Sequence, residues 1–254
     1  MARLIKADIH IHTCLSPCAD VTQSPLRIVR QAHIKGLNMI FITDHNTMQN
    51  AEAAIKANYN QRRKDGLNEV NDQTINVFPG MEITTKEEVH LLALFEKIDS
   101  AIEVQQEINK VLPDAISDKE KNMQVLANEL DEVEGFYHKS LFSSVGLSLD
   151  ETIQLIHQNK GVAIAAHIDR PTFSIISQLG FIPENCKLDA LEISPNRSIE
   201  QAKKEYPEYA NKYKFVKGSD SHSLNIIGTA YTEYYSENNS FNNFVNYLYS
   251  HKNG

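Results

Sequence analysis

The chain has 254 residues, 41% of them hydrophobic, and a formal net charge of −8, which is long enough to bury a sizeable core. The acidic balance disfavours a broad footprint on long nucleic acid but leaves room for a local cationic pocket that holds one phosphate. No run approaches the roughly 20 apolar residues that span a bilayer, and the N-terminus MARLIKADIHIH lacks the apolar run of a signal peptide. Cys14, Cys18 and Cys186 are too few, and too odd a set, for a disulfide framework, so a soluble chain in a reducing cytoplasm is expected.

Short apolar runs alternate with longer amphipathic ones, the pattern of repeated β-then-α units. A first strand is expected over Leu4–Ile9. Ser24 followed by Pro25 reads as the N-cap and first turn of a helix that stops at Gly36. A second strand over Met39–Thr43 precedes helical spacing across Gln49–Lys64, and strands follow over Asn76–Pro79 and Val89–Phe95.

From about Glu96 to Leu147 the connection far exceeds the roughly 2–6 residues usual between such elements, so it must hold structure of its own. Its first half, DSAIEVQQEINKVLPD, predicts a helix up to Pro113, and QVLANELDEVEGF alternates around an acidic turn as a hairpin does. We read residues 97–147 as a helix-plus-hairpin insertion within a single domain spanning 1–254.

Beyond it, Ser148-x-x-Glu151 is a capping box whose helix closes at Gly161, and Ser198-x-x-Gln201 repeats the pattern. Strands are expected over Val162–Ala166, Ala190–Ile193, Lys214–Lys217 and Gly228–Tyr231, with a last helix over Phe241–His251. A β/α barrel or an open α/β sheet accommodates this order.

His10 and His12 sit two apart in a predicted strand, so both imidazoles leave one face and can chelate one metal. Asp8 is expected on the same face one step earlier, and Asp8 or Asp44 is placed to orient a ligating imidazole. GSDSH repeats the spacing with Asp220 and His222 after KFVK, and between the two pairs lie His45 in ITDHN, Glu82 in FPGME, His90 in EVHLL and His167 in AIAAHIDRP. Each follows or ends a predicted strand. In a β/α architecture strand ends converge on one mouth, so residues far apart in sequence meet there. Imidazole and carboxylate ligands suit Zn²⁺, Mn²⁺ or Fe²⁺, with Glu82 as the natural bridge in a multinuclear hydrolytic centre.

Taken together, DIHIHT, ITDHN, PGME, the His-bearing strand, AAHIDRP and GSDSH resemble the PHP family of metal-dependent phosphoesterases, named for polymerase and histidinol phosphatase. The resemblance implies a distorted (β/α)7 barrel related to the TIM barrel, with two to three divalent ions at the C-terminal mouth of its strands. It implies a first site of His10, His12, Glu82 and Asp220, and a second in which Glu82 is shared with His90 and His167. A third takes His45, His222 and a ligand from the loop TCLSPCAD, where Asp20 is the best match and Cys14 or Cys18 the alternatives. His-x-His-x-Cys-x-x-x-Cys also admits a structural zinc.

Arg170 and Arg197 lie where a guanidinium can grip a phosphate over the metals, with Arg170 preferred and an ion pair the competing role for Arg197. The expected reaction is attack of a metal-bridging hydroxide on a phosphomonoester or short phosphodiester, with a metal-bound water or a nearby acid such as Asp220 or His222 protonating the leaving group. A nuclease or nucleotide phosphatase acting in nucleic-acid metabolism and a non-catalytic metal-binding regulatory module are the alternatives, and the expected partner is a small phosphorylated substrate or a short oligonucleotide. His33 and His157 fall in amphipathic helices, His251 at the terminus, and His138 in the insertion, from which it can approach a substrate.

Overall fold

A computed structural model describes residues 1–64 and 74–250 of the chain. His251, the expected end of the last helix, lies outside the described residues. The chain runs β1 (Arg3–Ile11), α1 (Pro25–Ile34), β2 (Met39–Ile42), α2 (Ala51–Lys64), β3 (Asn76–Thr84) and β4 (His90–Leu94). Next come α3 (Ile98–Val111), α4 (Asp118–Asn122), β5 (Val125–Ala127), β6 (Val133–Phe136) and α5 (Leu149–Gln158). It finishes with β7 (Val162–Ala165), α6 (Ile175–Leu179), β8 (Ala190–Glu192), α7 (Ile199–Glu205), α8 (Pro207–Ala210), β9 (Lys214–Val216), β10 (Thr232–Ser236) and α9 (Phe241–Tyr249).

Local chemistry sets the helix starts. Ser148 and Glu151 form a reciprocal capping box at α5, as do Ser198 and Gln201 at α7, each satisfying two backbone N–H groups that the first turn would leave unpaired. Between β4 and α5 the chain forms the helix α3 and the antiparallel hairpin β5–β6, the two elements expected there. Ala101, Val104 and Ile108 of α3 are buried in the same core as the main body.

Eight strands form one sheet in the order β10-β1-β2-β3-β4-β7-β8-β9. The steps β1–β2–β3 and β7–β8–β9 are parallel, whereas β4 is antiparallel to both β3 and β7. Past the end of β9 the chain returns to β1: the Ser221 N–H donates to the His10 carbonyl at 3.3 Å and the His12 N–H to the Ser221 carbonyl at 3.1 Å. The sheet is therefore a nearly closed mixed barrel, and β10 lies antiparallel on the first half of β1.

Two expected boundaries are corrected. Gly228–Tyr231 is a turn rather than a strand, because Gly228 sits at φ +69° and its N–H donates to Asp8 Oδ2 at 3.0 Å. The strand starts one residue later, at Thr232, where burial begins to alternate. Likewise β3 does not stop at Pro79 but continues to Thr84, since Gly80 through Thr84 pair residue by residue with β4.

Two apolar clusters hold this frame. One packs the helices against the outside of the barrel; the other fills the inside with Ile5, Ala7, Ile9, Phe41, Leu92, Leu94, Val162 and Ile164 and is plugged by Phe241, Phe244 and Leu248 of α9. Each fully buried Val, Leu, Ile or Phe side chain among them contributes about 1.5–3 kcal/mol. No helix among the described residues is long and apolar enough to cross a membrane.

Candidate metal centre

A bulge in β1 decides which side chains enter the barrel. Asp8 pairs with Ile40 and Ile11 with Ile42, so β1 spends three steps where β2 spends two. Ile5, Ala7 and Ile9 join the interior cluster, and the shift between Asp8 and Ile11 lets His10 and His12 point inward as well. Asp8 consequently leaves the face it was expected to share with the histidines. Its carboxylate accepts from the Ser219, Gly228 and His10 N–H groups and ties β1 to the segment after β9, touching no imidazole among the described contacts.

The other strands deliver their ligands to the same mouth. His45 follows β2, Glu82 lies two residues before the end of β3, His167 follows β7, and Asp220 and His222 follow β9. His90 departs from the expected rule because it opens its strand. Since β4 runs against its neighbours, its first residue lies where the parallel strands have their last, and the Thr84–His90 pair fixes it there.

Glu82 is the hub. Its Oε2 lies 3.4 Å from His10 Nε2, 3.3 Å from His12 Nε2 and 3.1 Å from His45 Nδ1. Its Oε1 lies 2.7 Å from His90 Nδ1 and 3.1 Å from His167 Nε2. Asp220 Oδ1 approaches His10 Nε2 at 3.3 Å and His12 Nε2 at 3.2 Å. His222 stacks obliquely on His12 with ring centroids 4.3 Å apart. Among the described residues, three sets each have their ligand atoms within 4.8 Å of one another: His10–His12–Asp220, His45–Glu82–His90 and His12–His45–His222.

The hydrogen bonds around this set show that it fits cations. Ser16 Oγ donates to Asp44 at 2.6 Å, so it accepts from His12 Nδ1 at 3.0 Å, and the proton of His12 lies on Nδ1. The Glu192 carboxylate, which can only accept, takes His10 Nδ1 at 3.0 Å. His12 Nε2 therefore turns its lone pair toward His10 Nε2 at 3.1 Å and toward oxygens of Glu82 and Asp220, and His10 Nε2 faces the same centre. In a buried site these acceptors need a positive charge at their centre, which the proton held on His10 supplies in the metal-free protein and a cation can replace. His167 Nδ1 is a further buried nitrogen with no partner. Imidazole and carboxylate donors suit Zn²⁺, Mn²⁺ or Fe²⁺, and because His12 and His45 each belong to two of the three sets, the clusters can coordinate two to three divalent ions.

Electrostatics follow the same geometry. Burial pushes the Glu82 carboxyl up, but His90, His10 and His45 hold it well below the usual carboxylate range. Burial likewise acts upward on Asp220, yet His10 and His12 hold it well below that range. Burial drives His12 down to about 4 and His45 well below the ordinary value. For His10 burial is outweighed by Glu192, Asp220 and Glu82, which hold it well above 6.5. A buried set with such opposed shifts in a cleft is typical of functional sites.

Of the residues singled out from sequence, the structure brings together His10, His12, His45, Glu82, His90, His167, Asp220 and His222. Arg170 joins them: it pairs with Asp220 and lines the cavity at the barrel mouth, which has a volume of about 260 Å³. Asp20 stays outside. Its carboxylate is exposed and accepts from the Thr22 N–H and hydroxyl at 2.8 Å, because the loop turns back through Gln23 before the side chain can reach the cluster. Arg197 is held by Glu205 and by Asp169 at 3.4 Å, away from the cavity lining. His138 is exposed and is not in that lining, and His157 pairs with Asp189 at 2.9 Å.

Cys14 is buried against the Val125 carbonyl and Asn50, with burial pushing its thiol up to about 12, which separates it from the histidines. Cys18 instead lines the cavity. Asp44 reaches His12 only through Ser16.

Three contributors have no counterpart in the motif reading. Glu192 ends β8, and a lone acid in the apolar run ALEIS was the signal. Ser16 has no signal beyond lying near His12. Gly218 is required because a Cβ there would stand 2.6 Å from His10 Cβ and 2.8 Å from Glu192 Oε1.

Solved structures share this fold. The lesion-specific endonuclease PfuEndoQ from Pyrococcus furiosus matches at a TM-score of 0.68 with 17% identity, over 98% of this chain and 56% of that one, so the chain spans little more than half of that protein. A protein from Bifidobacterium adolescentis proposed to be a metal-dependent phosphoesterase matches at 0.57 with 20% identity over 96% of both chains. An amidohydrolase from Chromobacterium violaceum matches at 0.58 with 15% identity, over 95% of this chain and 96% of that one. No curated protein matches in sequence. The PHP domain model matches residues 8–247, nearly the whole chain, and with the barrel and its ligand clusters this makes the chain a member of the PHP domain family.

Proposed function

We propose that the chain is a metal-dependent phosphoesterase that hydrolyses a phosphomonoester or short phosphodiester at the barrel mouth. The observation that carries this reading is Glu82, one buried carboxylate with five imidazoles within 3.4 Å. His10, His12, Glu82 and Asp220 would hold one ion, Glu82, His90 and His167 a second, and His45 with His222 a third that draws on His12 in place of Asp20. When bound, such ions supply a water ionised near neutral pH and a clamp on the phosphoryl oxygens.

The chain's own groups do the rest. Arg170, tied to Asp220 and open to the cavity, is placed to grip the phosphoryl group as charge builds on its oxygens. Asp220 is held ionised by His10 and His12, so it serves as a ligand and not as a proton donor. His222 Nδ1 donates to the Asp220 carbonyl at 2.9 Å, which leaves Nε2 to hold the third ion or, where that ion is absent, to carry a proton for the leaving oxygen. Glu192 and Ser16 fix the tautomers of His10 and His12.

We also read the chain as one PHP-like domain in which residues 97–147 are an insertion, supported by the burial of α3 in the common core. A cytoplasmic setting is supported by three cysteines that form no disulfide. The test is to strip the protein of metal, reload it with Mn²⁺, Zn²⁺ or Fe²⁺, and assay p-nitrophenyl phosphate, a nucleoside monophosphate and a short oligonucleotide. Metal-dependent turnover of at least one is expected. Bound metal without turnover on any of them would leave a non-catalytic metal-binding module.

A further inference from the structure

The cavity over the metal centre is not lined like a site for a wholly hydrophilic phosphoester. Its charged floor of Glu82, Asp220 and Arg170 faces walls that include Leu141, Phe142 and Phe173. The two phenylalanines come from separate elements, Phe142 from the segment between β6 and α5 and Phe173 from the loop between β7 and α6. Phe142 is 57% exposed and Phe173 42%, so neither ring is consumed by the core. Leaving two large aromatic rings open to water is costly unless a partner covers them.

Phe173 is also held there against backbone preference. It sits at φ +57°, a conformation that bulky residues rarely adopt, and two contacts impose it. Its carbonyl accepts the His90 N–H at 2.9 Å, and its ring lies flat on the His90 imidazole, 4.7 Å between centroids with planes 15° apart. The loop is clamped at its other end, where Ser174 Oγ donates to the Arg170 carbonyl at 2.7 Å. One short loop thus fixes the cation for the phosphoryl group and an aromatic platform beside it.

We infer that Phe142 and Phe173 form a subsite for a flat aromatic leaving group, so that the preferred substrates are phosphoesters of a nucleoside or a phenol rather than of a simple polyol. The inference rests on the phosphoesterase reading and narrows its substrate class. Both phenylalanines line the same cavity as Glu82 and Arg170, so a flat ring can lie against them with its phosphoryl group toward the charged residues, and a cavity of about 260 Å³ is small for anything longer than one such unit. Stacking of this kind tolerates any planar ring, because each one presents a π-face.

The experiment uses non-hydrolysable competitors on the metal-loaded protein, so that leaving-group reactivity does not enter: phenylphosphonate, a nucleoside 5′-phosphonate and methylphosphonate. The two aromatic compounds should inhibit at least about tenfold more tightly than methylphosphonate. That preference should fall about tenfold in F142A and survive in F142Y, with F173L giving the same fall should F173A not fold. A stronger effect of one aromatic compound separates a nucleoside from a phenol source. Equal inhibition by all three, with turnover intact, overturns the subsite and spares the phosphoesterase reading. Absence of turnover on every phosphoester overturns both.

Discussion

Glu192 holds the buried ring of His10 through Nδ1 at 3.0 Å and thereby turns Nε2 toward His12, Glu82 and Asp220. The same carboxylate accepts the His167 N–H at 3.0 Å, where His167 sits at φ +30°. One acid thus orients two candidate ligands from different strands.

Glu192→Gln keeps the shape but weakens the acceptor and its charge. Metal affinity should fall about 10- to 100-fold, as for other partners of ligating imidazoles, with turnover recovering when metal is raised. Calorimetric metal titration checks this, and unchanged affinity would show that Glu192 only packs.

Replacing both His10 and His12 with Ala removes two ligands of the buried first set. Bound metal, measured by elemental analysis, should fall by at least one ion per chain, and metal-dependent hydrolysis should be lost. Full activity in the double variant would sink the proposed centre.

Gly218→Ala tests how closely that centre is built, since its Cβ would crowd both His10 and Glu192. A stability loss of about 1–3 kcal/mol is expected from overpacking, together with weaker metal binding. Thermal melts with and without metal separate the two effects.

Asp20→Ala should leave metal content unchanged and shift stability by no more than about 0.5 kcal/mol, because the exposed carboxylate only braces the Thr22 turn. Loss of one ion per chain in this variant would return Asp20 to the ligand set.

The metal-free protein should lose stability as pH rises above 6.5. Below that the histidine contribution is opposed by Asp8 and Asp44, which burial raises to about 6 and which bind more protons folded than unfolded between about 4 and 6. His12, lowered to about 4, and His45, lowered well below 6.5, bind fewer protons folded than unfolded, so their contribution is lost as pH falls from 6.5 toward 4. His10, held well above 6.5, binds more protons folded than unfolded, so its contribution is complete below 6.5 and lost as pH rises above it. Melting curves in chelator from pH 4 to 9 should show the alkaline loss above a shallow acid side, and saturating metal should lift the alkaline limb most, because the proton that competes for His10 is scarce there.

Apart from the short helices α4, α6 and α8, the order of elements was legible in the sequence, as were most of the residues that gather at the mouth, because both rest on local rules. Periodicity separates strands from helices, capping boxes such as Ser148 with Glu151 mark helix starts, and the recurrence of His or Asp at strand ends shows which side chains share a mouth. Facing and partnership were decided only by the tertiary structure. The bulge after Asp8 reverses the two-residue alternation that a sequence reader must assume, so Asp8 faces away from His10. The reversal of β4 brings a strand-opening histidine to Glu82. The pairing of Glu192 with His10 joins residues 182 positions apart, and no spacing encodes a contact that exists only once the barrel closes.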